Sequence, residues 1–181
     1  MRPVLSMPGS VYHKIAEQVA EWLEAVPECK INSSTKDVCD RLSKVKLEND
    51  EELVSFDVSS LYTNVPLIES IETCTDLLFR DNMKKIPVQK SAFLELAKKG
   101  SCEVIMSTHD DGLAMGSQPA PHLANGWMSK FDGRIQENAK LFTRYMDDIL
   151  RDIKRDEIDN KLVEINNLHP NLTFTIEKKN G

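Results

Sequence analysis

Tyr145-Met146-Asp147-Asp148 stands between two apolar stretches, Leu141-Phe142 and Ile149-Leu150. An apolar run, a short polar tip and a second apolar run predict a β-hairpin carrying two adjacent carboxylates at its turn. Like charges a few ångströms apart raise each other's pKa, and neither tolerates burial unless a cation neutralises it. Keeping both ionised at neutral pH suits Mg²⁺, which prefers oxygen ligands and typically binds through one or two carboxylates together with phosphate oxygens. Alone the pair is a weak sign, because Asp-Asp also fills loops and helix caps.

Two upstream segments strengthen the reading. Leu53-Val54-Ser55-Phe56-Asp57-Val58-Ser59-Ser60-Leu61-Tyr62 predicts a strand running into a turn. A period of two puts Leu53, Ser55 and Asp57 on one face and Val54, Phe56 and Val58 on the other. An Asp closing a strand on the polar face is a natural metal ligand. The rival role, an N-cap, fits poorly because Asp57 lies well ahead of the helical pattern that begins near Leu67. The other segment is Gly112-Leu113-Ala114-Met115-Gly116-Ser117-Gln118-Pro119-Ala120-Pro121-His122-Leu123-Ala124-Asn125. There a Gly-Ser turn feeds a proline-punctuated helix start, which leaves backbone N–H groups exposed and lets a strand of nucleic acid approach closely.

The order of these elements resembles the reverse transcriptase palm, and its wording is closest to Penelope-like retroelements. The resemblance rests on Ser55-Phe56-Asp57-Val58-Ser59-Ser60-Leu61-Tyr62-Thr63-Asn64-Val65-Pro66, on Ala114-Met115-Gly116-Ser117 with Pro121 and Leu123-Ala124-Asn125, and on Arg144-Tyr145-Met146-Asp147-Asp148. His169 to Glu177 is similar to the segment that follows in that family, and Arg2-Pro3-Val4-Leu5-Ser6 to the second fingers motif. It spans nearly all 181 residues. What it implies is an α+β polymerase palm, an antiparallel sheet with helices packed on one face. The end of the fingers and connecting helices would lie over 1–50 and the palm over 51–181, with the chain stopping before the thumb.

The same resemblance implies RNA-templated DNA synthesis by two-metal nucleotidyl transfer. Asp57 and Asp147 would bridge two Mg²⁺ ions, or Mn²⁺ in their place, with Asp148 completing the acidic group and the Val58 carbonyl adding an oxygen ligand. Arg2 and the backbone of Ser60 and Leu61 would meet the triphosphate. Tyr62 would pack under the sugar and exclude a 2′-hydroxyl, although a tyrosine there also fits a plain turn aromatic. Met115 stands where many reverse transcriptases carry Gln. Met115 and Gly116 would flank the nucleotide, while Gly116, Ser117, Tyr145 and Met146 would face the template and primer. Lys178 or Lys179 would supply a late general acid, or simply a solvated charge run. The partners implied are an RNA template, a DNA primer and deoxynucleoside triphosphates, inside the cell and at nuclear DNA. No protein partner is indicated.

Composition sets bounds. The chain is 40% hydrophobic and 29% charged, enough to bury a substantial core. Cys29, Cys39, Cys74 and Cys102 are scattered without a Cys-x-x-Cys pair, which reads as reduced intracellular thiols. No apolar run reaches a membrane span and no targeting pattern is visible. His13, His109, His122 and His169 are too dispersed to suggest zinc. The formal net charge of −6 runs against a template-gripping protein, which normally shows a basic stripe. Weak nucleic-acid binding by this chain alone is the expectation.

Along the chain, helices are expected from Ser10 to about Val26 and from Ser34 or Thr35 through Val45. Others should run from about Ile68 to Phe79, from about Val88 to Lys99 with Gly100 closing it, from Pro121 to about Phe131, and from Asp156 to Leu168. Strands are expected at Glu103 to Met106 and Leu172 to Ile176, with a turn at His109 to Gly112. Trp127 and Phe131 read as core. Arg151-Asp152 breaks the apolar pattern of the second hairpin strand, and implies that the strand is short or that the two lie at its solvent edge. Two other functions stay open. An RNA-directed RNA polymerase uses the same palm, though Tyr62 argues against it. A non-catalytic remnant would keep the architecture without polymerising.

Overall fold

The computed structural model describes residues 12–29, 35–80, 86–102 and 112–177. In chain order the elements are α1 (His13–Glu24), a 3-10 turn (Pro27–Cys29), α2 (Thr35–Leu42), β1 (Glu51–Val58), α3 (Leu61–Asn64), α4 (Leu67–Phe79), α5 (Lys90–Cys102), α6 (Ala120–Ile135), β2 (Phe142–Tyr145), β3 (Asp148–Lys154), a second 3-10 turn (Arg155–Glu157), α7 (Ile158–Asn166) and β4 (Phe174–Glu177). This is an α+β fold. Two compact units are formed, one from 1–31 with 62–130 and the other from 32–61 with 131–181. No helix among the described residues is long and apolar enough to cross a membrane.

The first unit is helical. Ala16, Val19 and Leu23 line the buried side of α1, while Ile15 is half-buried. Val26 is buried just past the helix end. The N-terminal neighbour of α1 is Tyr12, with no side-chain cap, and Ser10 lies outside the described residues. Gly100 does not close α5, which continues to Cys102. A side chain there would press on the backbone of Ala16, its Cβ 3.2 Å from the Ala16 Cα, so the glycine serves close helix packing instead of a stop. Gly126, inside α6, makes a similar allowance. A Cβ would fall 2.4 Å from the Cys74 sulfur and 2.7 Å from that of Cys29, two buried free thiols 3.7 Å apart. α6 starts at Ala120 and extends to Ile135, longer than expected, and Trp127 is fully buried. The strand and turn expected between Glu103 and Asp111 lie outside the described residues.

The second unit holds a four-stranded antiparallel sheet in the order β2-β3-β1-β4. Val54, Phe56 and Val58 of β1 are buried, as the period-two pattern requires, and Ile149 of β3 pairs with Phe56 on the same face. The opposite face presents Leu53, Ser55 and Asp57, all partly or largely exposed. β4 begins at Phe174, two residues later than expected. Asn166 of α7 fixes it there, its Oδ1 accepting from the Phe174 N–H at 2.8 Å and its Nδ2 donating to the Phe174 carbonyl at 3.2 Å.

Arg151-Asp152 overturns both explanations offered for it. β3 runs its full length to Lys154, and the two residues are 3% and 2% exposed. Arg151 donates to the carbonyls of Ile135, of Glu137 (3.1 Å) and of Asp152 (3.2 Å). Asp152 accepts the Leu141 N–H at 2.7 Å, and its own N–H donates to the Leu141 carbonyl at 3.3 Å. The pair ties the segment leaving α6 to the sheet by bonding the backbone groups of Ile135, Glu137 and Leu141.

Candidate active site

The two strands that carry the carboxylates are hydrogen-bonded neighbours. Asp57 pairs directly with Asp148, and the same row continues to Tyr145 on β2 and Thr175 on β4. Residues opposite one another in an antiparallel ladder point to the same side. Asp57 and Asp148 therefore share the open face of the sheet. Met146 and Asp147 form the two-residue turn between Tyr145 and Asp148. Met146 takes φ 58°, the left-handed conformation that primed hairpin turns require and that a non-glycine residue adopts only under constraint. Its side chain is buried. The Asp147 carbonyl accepts the Val58 N–H at 3.0 Å, which binds the turn to the end of β1.

Asp148 sits above the ordinary carboxylate range, first through partial desolvation, then through the charge of Asp147 and that of Asp57. Among the described residues no basic side chain pairs with Asp147 or Asp148. Nor, among those residues, are three His, Cys, Asp or Glu side chains already gathered into a shell that could hold a metal ion. Hard oxygen donors in mutual repulsion still fit a divalent cation, which would have to draw the carboxylates closer together.

Around this group the backbone is bent twice. Ser60, three residues after Asp57, has φ 53°, and the Ser59 N–H donates to the Thr173 carbonyl at 2.8 Å. Leu61, expected to offer its backbone, has its side chain buried at the start of α3. Asp57 is followed by that short helix, and α4 begins with Pro66 as its N-terminal neighbour, so Asp57 is not the cap of α4. Tyr145 is exposed on the open face.

Tyr62, Met115, Gly116 and Ser117 belong to the other unit. The carbonyl of Tyr62 accepts the Leu113 N–H at 2.7 Å. Gly112 lies against Thr63, where a Cβ would stand 2.5 Å from the Thr63 carbonyl oxygen. Met115 is half-buried, and Gly116 has φ 98°, a conformation glycine takes at little cost. Ser117 is buried, with a hydroxyl that has no hydrogen-bond partner among the described residues. Arg2, Lys178 and Lys179 lie outside the described residues.

Sequence reasoning assigned Arg144 no task, and Asp132 did not stand out at all. The structure joins them. Arg144 Nε donates to Asp132 Oδ1 and Nη2 to Asp132 Oδ2, both at 2.8 Å, while Nη1 reaches the Met146 carbonyl at 3.4 Å. The only hint in the sequence was a charged residue inside an apolar hairpin strand, which implies a partner.

A model of the family described as reverse transcriptase (RNA-dependent DNA polymerase) matches residues 1–179. No curated protein matches the chain. Members of that family are RNA-directed DNA polymerases that act on RNA, DNA and nucleotides and generally use divalent metal ions. With the family's match covering nearly every residue and the carboxylates of β1 and β3 side by side, the chain belongs to the reverse transcriptase family.

Proposed function

We propose that this chain performs RNA-templated DNA synthesis by two-metal nucleotidyl transfer, as part of a retroelement polymerase of the Penelope-like kind. Residues 51–181 would form the palm and residues 1–50 the end of the fingers. The observation that carries the reading is the direct pairing of Asp57 with Asp148 beside the Asp147 turn. Asp57, Asp147 and Asp148, with the Val58 carbonyl, would hold two Mg²⁺ ions, and Mn²⁺ would serve in their place. When bound, the ions supply charge stabilisation for an attacking 3′-hydroxyl and a leaving pyrophosphate.

The chain's own groups do the positioning. Ser60, in its left-handed conformation, turns the backbone so that its N–H and that of Leu61 can meet a triphosphate. Tyr62 discriminates against a ribose 2′-hydroxyl by bulk. Met115, Gly116 and Ser117 would face the nucleotide and template. Tyr145 and Met146 border the primer end, and Arg2 and Lys178 act on the phosphates.

The test is primer extension on an RNA template with Mg²⁺ and deoxynucleotides, beside Asp147→Asn. Extension that disappears in the variant supports the reading. A folded protein that binds the template and primer but extends nothing, under either Mg²⁺ or Mn²⁺, would overturn it in favour of a non-catalytic palm.

A further inference from the structure

We infer that Arg144 and Asp132 form a positioning clamp that sets the geometry of the Asp147-Asp148 turn, a role that rests on the metal-site reading above. Three observations carry it. The guanidinium meets the Asp132 carboxylate through two parallel bonds of 2.8 Å, with the Arg144 side chain only 9% exposed. Such a fork fixes direction as well as distance, which a single point charge does not. Arg144 also lies immediately before Tyr145, and its third nitrogen faces the carbonyl of Met146, the residue held at φ 58°. Finally, the next carbonyl along, that of Asp147, is tied to Val58 by the Val58 N–H.

The turn is thus anchored on two sides, by α6 through Asp132 and by β1 through Val58. Asp147 lies between the two anchors. A left-handed Met146 costs on the order of 1 kcal/mol or more, so it relaxes unless its surroundings hold it. Released, the turn would carry Asp147 and Asp148 away from Asp57. Asp132 touches no reacting atom in this scheme. It orients Arg144, and Arg144 orients the backbone that presents the carboxylates.

The test uses amide hydrogen exchange and Mn²⁺ binding by electron paramagnetic resonance on the whole chain. It compares the wild type with Arg144→Gln, Arg144→Lys, Asp132→Asn and Asp148→Asn. In Arg144→Gln and Asp132→Asn the Val58 amide should lose protection by about tenfold, while amides in the middle of β1 and β3 keep theirs. Mn²⁺ affinity should fall about 10- to 100-fold, the usual effect of removing a group that orients a ligand. Arg144→Lys keeps the charge without the fork and should fall between; it and Asp132→Asn carry the test if Arg144→Gln does not fold.

Unchanged Val58 protection in both variants overturns the clamp. So does lost protection with wild-type Mn²⁺ affinity, which would make the pair a brace of the hairpin with no bearing on the carboxylates. Should Asp148→Asn bind Mn²⁺ as well as the wild type, the metal-site reading fails, and the Val58 amide still decides whether the clamp holds the turn.

Discussion

Replacing Arg151 with Met should destabilise the protein far more than removing an arginine from its surface. The guanidinium supplies three donors to backbone carbonyls, those of Ile135, Glu137 and Asp152. Burial holds the Arg151 pKa down, against the opposing pull of Asp152, but leaves an arginine charged. Hydrogen bonds from a charged group contribute about 1.5–3 kcal/mol each, so three give an upper bound of roughly 4.5–9 kcal/mol. Methionine refills much of the volume of the aliphatic stem, and Asp152 keeps its bond from the Leu141 N–H. The net loss should therefore approach the about 3–5 kcal/mol typical of stripping one partner from a buried charged network. That is a fifth or more of the about 5–15 kcal/mol that holds a domain together. Urea unfolding followed by circular dichroism would measure it, with Arg134→Ala as the reference. Arg134 is 63% exposed in its ion pair with Glu164, and losing it should cost under about 1 kcal/mol. If Arg151→Met loses no more than Arg134→Ala, the buried guanidinium is not holding the α6-to-β2 segment, and the reasoning fails.

Two further outcomes are expected. The Asp148 carboxyl, followed by carbon-detected NMR titration, should lie above the usual Asp range and drop further in Asp147→Asn than in Asp57→Asn, following the order of the two charges. A raised carboxyl pKa means that the folded state binds the proton more tightly. Its stabilising contribution is complete below the unfolded-state pKa and is lost as pH rises through the folded-state value, so the wild-type urea midpoint should fall relative to that of Asp148→Asn over that window, and by less in an Asp147→Asn background. Gly126→Ala should destabilise by about 1–3 kcal/mol through its clash with the Cys74 and Cys29 sulfurs, despite alanine's better helix propensity, and Cys74→Ala in the same chain should recover part of the loss. Thermal unfolding of the single and double variants checks both statements.

The sheet was legible because its signals are local. Val54, Phe56 and Val58 alternate with Ser55 and Asp57, and one register satisfies both that alternation and the hairpin of Tyr145 to Asp148. What stayed hidden depends on partners far along the chain. Gly100 reads as a stop because the backbone of α1 that fills the space above it is invisible from α5 alone. Arg151-Asp152 reads as a solvent edge because its partners are backbone groups of Ile135, Glu137 and Leu141, which carry no side-chain signature. Asp132 is one helix position among many until Arg144 is placed beside it. The acidic row was therefore recoverable from pattern, whereas the groups that hold its turn were not.

The strand order has a consequence for biosynthesis. β1 lies inside the sheet, yet both of its neighbours, β3 and β4, follow it by the whole middle of the chain. While the ribosome is still making residues 59–147, β1 has two unsatisfied edges and an apolar Val54/Phe56/Val58 face with no partner strand. Closing so distant a pairing is slow. Until β3 emerges, Asp57 stands without Asp148, so a nascent chain is at once most prone to aggregation and unable to assemble its acidic row.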